Sequence, residues 1–145
     1  GDRRAGLPQV VPDPQTAATY VARTYIDSVR MGIQRTYWYG WDSHILGIDL
    51  IDPTTSAITP AGRAFLTVRD WLTGSRFAGC EETAGLAVCH FGDAEGGPFS
   101  IVWSVAGVST VDGNGMRLCT VDGECAKAPA SLTVESQPVL LKPRK

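Results

Sequence analysis

The chain has 145 residues with a formal net charge of −2, and 43% of them are hydrophobic. That composition excludes a mainly disordered chain and is sufficient for one domain, or two small units, with a buried core. The acidic balance argues against nucleic acid as a partner, since no basic stripe is present to neutralise phosphates. The sequence contains neither a hydrophobic run approaching the roughly 20 residues of a membrane helix nor a recognisable signal peptide.

Two helices are predicted in the first half of the chain. Asp13 has a suitable N-cap side chain, the proline after it fits the first helical position, and apolar residues follow at helical spacing. Gly32 favours termination, so the first helix is predicted over 13–31. Thr59 and the proline after it repeat the same signal and predict a second helix over 59–73.

Between the helices, the segment 33–41 is short, aromatic and bounded by glycines, which predicts a buried strand. A single buried strand leaves its backbone groups without partners, and a complete α/β barrel needs about 250 residues. The first half, residues 1–74, therefore reads as the end of a larger α/β fold. Because the first residue is Gly1 and not methionine, we expect the chain to be processed or cut from a longer protein.

The second half, residues 75–145, contains short apolar runs separated by Gly- and Asp-rich turns. Many short strands at this spacing predict a small antiparallel β-sandwich. The strands are predicted over 76–80, 86–91, 99–105, 108–111, 116–120, 131–135 and 138–142. The predicted fold class is thus α/β followed by all-β.

The four cysteines form no CxxC motif and the chain has two histidines, so a zinc site is not predicted. We favour pairing Cys80 with Cys89 and Cys119 with Cys125, because each pair brackets a polar turn that contains glycine. Four buried free thiols are the alternative. Each short ring would stabilise the fold by about 2–3 kcal/mol, and persistent disulfides would indicate an exported protein.

In chain order, the sequence contains six short segments: RTYWYGWD at 35–42, GIDL at 47–50, TPAG at 59–62, WLTG at 71–74, FSIVWS at 99–104 and PVLL at 138–141. In this order they resemble the C-terminal part of clan A glycoside hydrolases, where the last barrel strand and helix are followed by a β-sandwich. The resemblance covers nearly the whole chain and depends on the order of the segments, since none of them is specific alone.

This resemblance implies that residues 1–74 close a (β/α)8 barrel and that residues 75–145 form the sandwich. The family places its two catalytic glutamates after the fourth and seventh strands, which would precede Gly1. The resemblance therefore implies a secreted, retaining enzyme in which this chain supplies one wall of the sugar pocket and needs no cofactor. Its partners would be the carbohydrate substrate and the N-terminal remainder of the barrel.

Trp38 matches the family tryptophan beneath the sugar at the cleavage point, and the alternative is an aromatic of the barrel core. Trp41 and Asp42 follow at the strand end that faces an active site in such barrels. Trp41 is a second sugar platform or a packing residue, and Asp42 is a hydroxyl-binding group or a turn cap. Tyr37 and Tyr39 alternate with Trp38 and are expected to be buried against the outer helices.

The adjacent carboxylates Glu81 and Glu82 invite a general acid–base interpretation, but strand neighbours point to opposite sides, so a solvated turn is favoured. His44, in the loop, and His90, in a strand, are expected to be solvated and structural, respectively. No Ser–His–Asp grouping or phosphate-binding loop is recognisable. The competing function is a β-sandwich module that binds carbohydrate or a cell-surface partner without catalysis.

Overall fold

A computed structural model describes residues 11–42 and 47–144. Its two helices are α1, Pro14–Arg30, and α2, Pro60–Leu72. Asp13 caps α1 by accepting hydrogen bonds from the amides of Gln15 and Thr16, and Thr59 caps α2. Each cap satisfies amides that have no partner within the helix, which fixes where the helix begins. Neither helix has the length and apolar character needed to cross a bilayer.

Eight strands follow the helices, and together they make a β-rich, antiparallel domain. They are β1 Arg76–Thr83, β2 Leu86–Gly92, β3 Pro98–Ser104, β4 Ser109–Asp112, β5 Met116–Cys119, β6 Cys125–Lys127, β7 Ser131–Val134 and β8 Val139–Pro143. Six of them form one sheet in the order β1-β2-β3-β8-β5-β6, and β4 pairs with β7 in a second sheet. The short strand β6 is absent from the sequence prediction, because its three residues are all exposed and show no hydrophobic alternation.

The six-stranded sheet is covered on both faces. Helices α1 and α2 pack on one face, and side chains from both helices join Phe91, Ile101 and Trp103 in one hydrophobic core. The two-stranded sheet covers the other face, where Val102 contacts residues of β7 and β8. The helical half of the chain, before Gly74, and the β half, after it, therefore share one hydrophobic core.

The predicted strand over 33–41 is not a strand in this structure. Among the described residues, no other segment provides a row of backbone partners beside it, and a strand is defined by such pairing. The sequence prediction relied on aromatic and β-branched residues, which indicate a half-buried surface but do not supply the neighbouring chain.

Both disulfides join directly opposed residues of neighbouring antiparallel strands. Cys80 pairs with Cys89 across β1 and β2, and Cys119 pairs with Cys125 across β5 and β6. This is the pairing favoured by the turns that the cysteines bracket. The sequence separations are 9 and 6 residues, so each bond closes one hairpin and attaches an outer strand of the six-stranded sheet to its neighbour.

Replacing both Cys80 and Cys89 by Ala is expected to lower the free energy of unfolding by about 2–3 kcal/mol, because the unfolded chain regains the entropy of the open ring. Urea denaturation measures this change, with Thr83→Ala in the same exposed strand as the control. A double variant that unfolds at the same midpoint as the control would contradict the prediction, as would free thiols found by non-reducing peptide mapping.

Candidate functional site

The aromatic segment after α1 alternates in burial although it pairs with no strand. Trp38 is half-buried and Gly40 is buried, whereas Tyr37, Tyr39 and Trp41 are 81%, 76% and 51% exposed. A period of two is the signature of extended backbone, in which successive side chains point to opposite sides. The segment therefore lies with the Trp38 side on the helices and presents Tyr37 and Tyr39 on the other side, and Trp41 at its end is half-exposed.

Trp38 is the inward-facing aromatic residue of this segment. Its indole packs against a small apolar cluster between the two helices and the following loop, comprising Ala17, Val21, Leu50 and Ala61. Its Nε1–H donates a hydrogen bond to the carbonyl oxygen of Ile48 at 3.3 Å. In this chain Trp38 thus connects the aromatic segment to the loop before α2.

The expected burial of Tyr37 and Tyr39 is wrong. Trp38 occupies the side that faces the helices, so strand-like alternation directs both tyrosines away from them. The sequence shows the alternation, but it does not show which of the two sides meets the helices. Packing decided this, because the indole of Trp38 fills the space beside Leu50 and Ala61.

Trp41 lies at the end of the aromatic segment and is fixed through both its backbone and its ring. Its carbonyl oxygen accepts hydrogen bonds from the amides of Leu50 and Ile51 at 2.9 and 3.0 Å. Its ring meets Phe65 of α2 edge-on, with centroids 6.0 Å apart, and half of the side chain is still exposed. Asp42, the next residue, is exposed. His44 lies outside the described residues.

Tyr25 of α1 packs against the same aromatic region. Its ring meets Phe65 edge-on at 5.3 Å, so Phe65 lies between Tyr25 of α1 and Trp41 of the segment. Burial raises the pKa of Tyr25 above its ordinary value. Tyr25 is therefore a neutral phenol over the physiological range.

The loop before α2 is attached to the first turn of that helix by Thr59. The Thr59 hydroxyl donates to the carbonyl oxygen of Asp49 at 2.6 Å and accepts from the amide of Gly62 at 3.0 Å. Gly62 is required here because a Cβ atom at that position would lie 2.1 Å from the carbonyl oxygen of Leu50. The loop that carries the partners of Trp38 and Trp41 thus lies directly against the helix backbone.

A surface cavity of about 290 Å³ opens beside this loop at the N-terminal ends of both helices. Its lining is mainly apolar, and it includes Val11, Pro14, Ile48, Pro53 and Pro60. In the part of the chain that the structure describes, no group of three His, Cys, Asp or Glu side chains is placed to hold a metal ion. The groups that this region exposes to a ligand are the rings of Tyr37, Tyr39 and Trp41, the two tyrosine hydroxyls and the carboxylate of Asp42.

The structure also brings together a hydrogen-bonded group of three polar side chains that the sequence did not reveal. On β1, β2 and β3, His90 Nδ1 lies 3.1 Å from Ser100 Oγ, and His90 Nε2 lies 3.4 Å from a carboxylate oxygen of Glu81. The side chains of His90 and Glu81 are 49% and 68% exposed. Water competes for these groups, so we interpret the three side chains as ordinary surface hydrogen bonding. Only sheet register could have revealed it, since Ser100 and His90 are cross-strand partners.

Comparison with solved structures shows a similar fold in part of a larger protein. The chain superposes on a family 39 glycoside hydrolase from the gut symbiont Bacteroides cellulosilyticus WH2 with a TM-score of 0.66 and 19% sequence identity. The match covers 88% of this chain and 30% of that one, so the chain spans less than a third of the neighbour's length. No protein-family model and no curated protein matches the sequence.

Replacing Gly62 by Ala is expected to lower the free energy of unfolding by about 1–3 kcal/mol, because the new methyl group must displace the Leu50 carbonyl. In an unobstructed helix the same substitution is stabilising by about 0.5–1 kcal/mol, so the sign is diagnostic. Thermal and urea denaturation measure it, with Arg63→Ala at the next, exposed position as the control. A stabilised Gly62→Ala variant would contradict the described loop position.

Proposed function

We propose that this chain is the C-terminal part of a secreted, retaining glycoside hydrolase and supplies one wall of its sugar-binding pocket. The observation that carries the proposal is the set of exposed rings at Tyr37, Tyr39 and Trp41 on an unpaired, extended segment. The fold shared with part of a family 39 glycoside hydrolase supports it. The two disulfides are compatible with an extracellular location.

In this proposal the segment 33–41 is the last strand of a (β/α)8 barrel, and residues 1–74 are the barrel's closing portion. Its backbone would pair with strands in the N-terminal remainder of the enzyme. A strand of such a barrel has one side toward the barrel interior and one toward the outer helices. Here Trp38 faces α1 and α2, which leaves the side of Tyr37 and Tyr39 for the interior, while Trp41 lies at the strand end against Phe65 of α2.

The chemistry of the exposed groups suits a carbohydrate. A flat indole face complements the C–H face of a pyranose, while carboxylates and hydroxyls bind its polar edge. We assign Trp41 as the principal platform, because half of its surface is free and Phe65 fixes its ring. Asp42, the next residue, is exposed and would accept a hydrogen bond from a sugar hydroxyl. Trp38, which the resemblance places beneath the sugar, packs toward the helices here, so the exposed part of its half-buried indole is proposed as a contact at the margin of the site.

The bond-breaking residues would lie in the remainder of the enzyme. In a retaining glycosidase one carboxylate attacks the anomeric carbon while a second carboxylic acid protonates the leaving oxygen, and water later cleaves the glycosyl-enzyme. Glu81 and Glu82 are exposed but lie in β1 and not in the turn expected from the sequence, because both pair with residues of β2. They do not fit these roles, because consecutive strand residues point to opposite faces. The chain by itself is therefore expected not to hydrolyse aryl glycosides.

A β-sandwich module that acts alone is the weaker candidate. Ile101 and Trp103 are completely buried, and the core that buries them includes Ile26 and Val68 of the two helices. Without the helices this sheet face would be a large exposed apolar patch, which soluble proteins rarely present. The helices and the sheet thus form one structural unit.

Trp41→Ala is expected to weaken binding of neutral oligosaccharides by about tenfold, because the stacking surface is lost. Isothermal titration calorimetry with a panel of neutral oligosaccharides measures the change. Tyr20→Ala is the matched control, since Tyr20 is an exposed aromatic on α1 outside the segment. Equal affinity of wild type and Trp41→Ala for every oligosaccharide bound would exclude Trp41 as the platform.

Two substitutions are needed to test Trp38, because this residue packs against the helices and is also a proposed sugar contact. Trp38→Ala is expected to lower the free energy of unfolding by about 3 kcal/mol. Trp38→Phe keeps most of the packing but removes the hydrogen bond to Ile48, so weaker sugar binding with near-normal stability would support a role in the site. Unchanged binding by Trp38→Phe would restrict Trp38 to packing.

A further inference from the structure

Three basic side chains that are distant in sequence form one row across the six-stranded sheet. Arg117 of β5 is directly opposite Lys127 of β6 on one side and Lys142 of β8 on the other. Directly opposed residues share a face, with Cβ atoms about 4.5–5.5 Å apart. Arg144 follows two residues after Lys142, and its backbone amide is fixed by the carbonyl of Gly115 at 2.8 Å. We call these three residues, together with the adjacent Arg144, the basic row.

The face of the sheet that carries the basic row follows from strand alternation. Cys119 lies two residues after Arg117 and is buried in the core beneath the helices, so Arg117 is on that same face. Arg117, Lys127 and Arg144 are exposed, and Lys142 is half-buried. A shallow depression of about 400 Å³ is lined by Arg117, Lys142, Pro143 and Arg144. The row begins at β6, the open edge of the sheet.

Acidic partners are concentrated at the Lys142 end of the basic row. Lys142 donates to the carboxylate of Asp93, and this hydrogen bond is the main reason that the pKa of Asp93 is lowered. Asp70 and Glu95 line the same side of Lys142. Within the described ranges, no ion pair joins Arg117, Lys127 or Arg144 to a carboxylate. Among the described residues, the positive charge at the open edge is therefore not paired with a carboxylate.

Like charges directly opposite each other on neighbouring strands destabilise a sheet. Arg117 and Lys127 are both exposed and neither joins a described hydrophobic core, so their pairing adds no apolar packing to the fold. A bound anion would remove this repulsion and supply the missing partners. We infer that the basic row is a secondary binding site for an acidic carbohydrate chain, one that carries carboxylate or sulfate groups.

This inference rests on the proposed role in carbohydrate binding, which decides between the possible polyanions. Nucleic acid is disfavoured, because the chain has a net charge of −2 and the row provides only a few phosphate contacts. An acidic polysaccharide carries one charge on each acidic sugar, and this spacing of charges suits a short row of separate cations. The site lies on the β half and is distinct from the aromatic segment 33–42.

The test is equilibrium binding of the 145-residue chain to polygalacturonate, dextran sulfate, neutral dextran and single-stranded DNA at several NaCl concentrations. Wild type is expected to bind the two acidic polysaccharides more tightly than neutral dextran, with an affinity that falls as salt rises. Arg117→Gln with Lys127→Gln is expected to weaken acidic binding about fivefold to tenfold. The control is Arg63→Gln with Arg76→Gln, which removes two exposed arginines elsewhere.

Polygalacturonate and dextran sulfate distinguish carboxylate from sulfate as the recognised group, and preference for either supports the inference. Equal weakening by the control variant would reduce the effect to net charge and overturn it, as would DNA binding as tightly as either polysaccharide. Neutral oligosaccharide binding that depends on Trp41 reports on the proposed function separately. If neutral oligosaccharides show no Trp41-dependent binding while acidic polysaccharides still bind through the basic row, the proposed function has failed. If neutral binding depends on Trp41 but the basic-row variant binds acidic polysaccharides normally, the inference has failed.

Discussion

The central strands of the six-stranded sheet are buried on both faces, and the positions of the other elements depend on this. Ile101, Val102 and Trp103 are consecutive and all buried, because alternate side chains enter two different cores. The helices must therefore cover one face and the β4–β7 sheet the other. The guanidinium of Arg23 lies 4.4 Å from the centre of the Trp103 ring, adding a cation–π contact where α1 crosses the sheet.

The helix layer that covers the sheet also supports the aromatic segment. Its outer surface carries the cluster on which Trp38 packs, and α2 supplies Phe65 to Trp41. The same helix begins at Thr59, whose hydroxyl attaches the preceding loop through the carbonyl of Asp49. One layer thus links the buried sheet to the exposed rings, so a substitution of Phe65 in α2 is expected to affect both stability and the candidate site.

Two chemically different surfaces result, and each is produced by backbone alternation. On the segment 33–41, alternation half-buries Trp38 and exposes the rings of Tyr37 and Tyr39. On β5, alternation sends Leu118 into the core beneath the second sheet and Arg117 to the opposite face. Neutral and acidic parts of a carbohydrate would be recognised at these separate places, the first by stacking and the second by charge.

The sequence by itself determined both helices and their caps, most of the strands and the favoured disulfide pairing, because caps, apolar spacing and glycine turns act over a few residues. The similarity to part of a family 39 glycoside hydrolase supports a glycoside hydrolase-like fold, which is the coarser part of the resemblance drawn from six short segments. Tertiary structure alone decided the rest. Which side of 33–41 meets the helices depends on the packing of Trp38, and the row of Arg117, Lys127 and Lys142 exists only through strand register. Those contacts join residues distant in the chain, so local sequence patterns carry no signal for them.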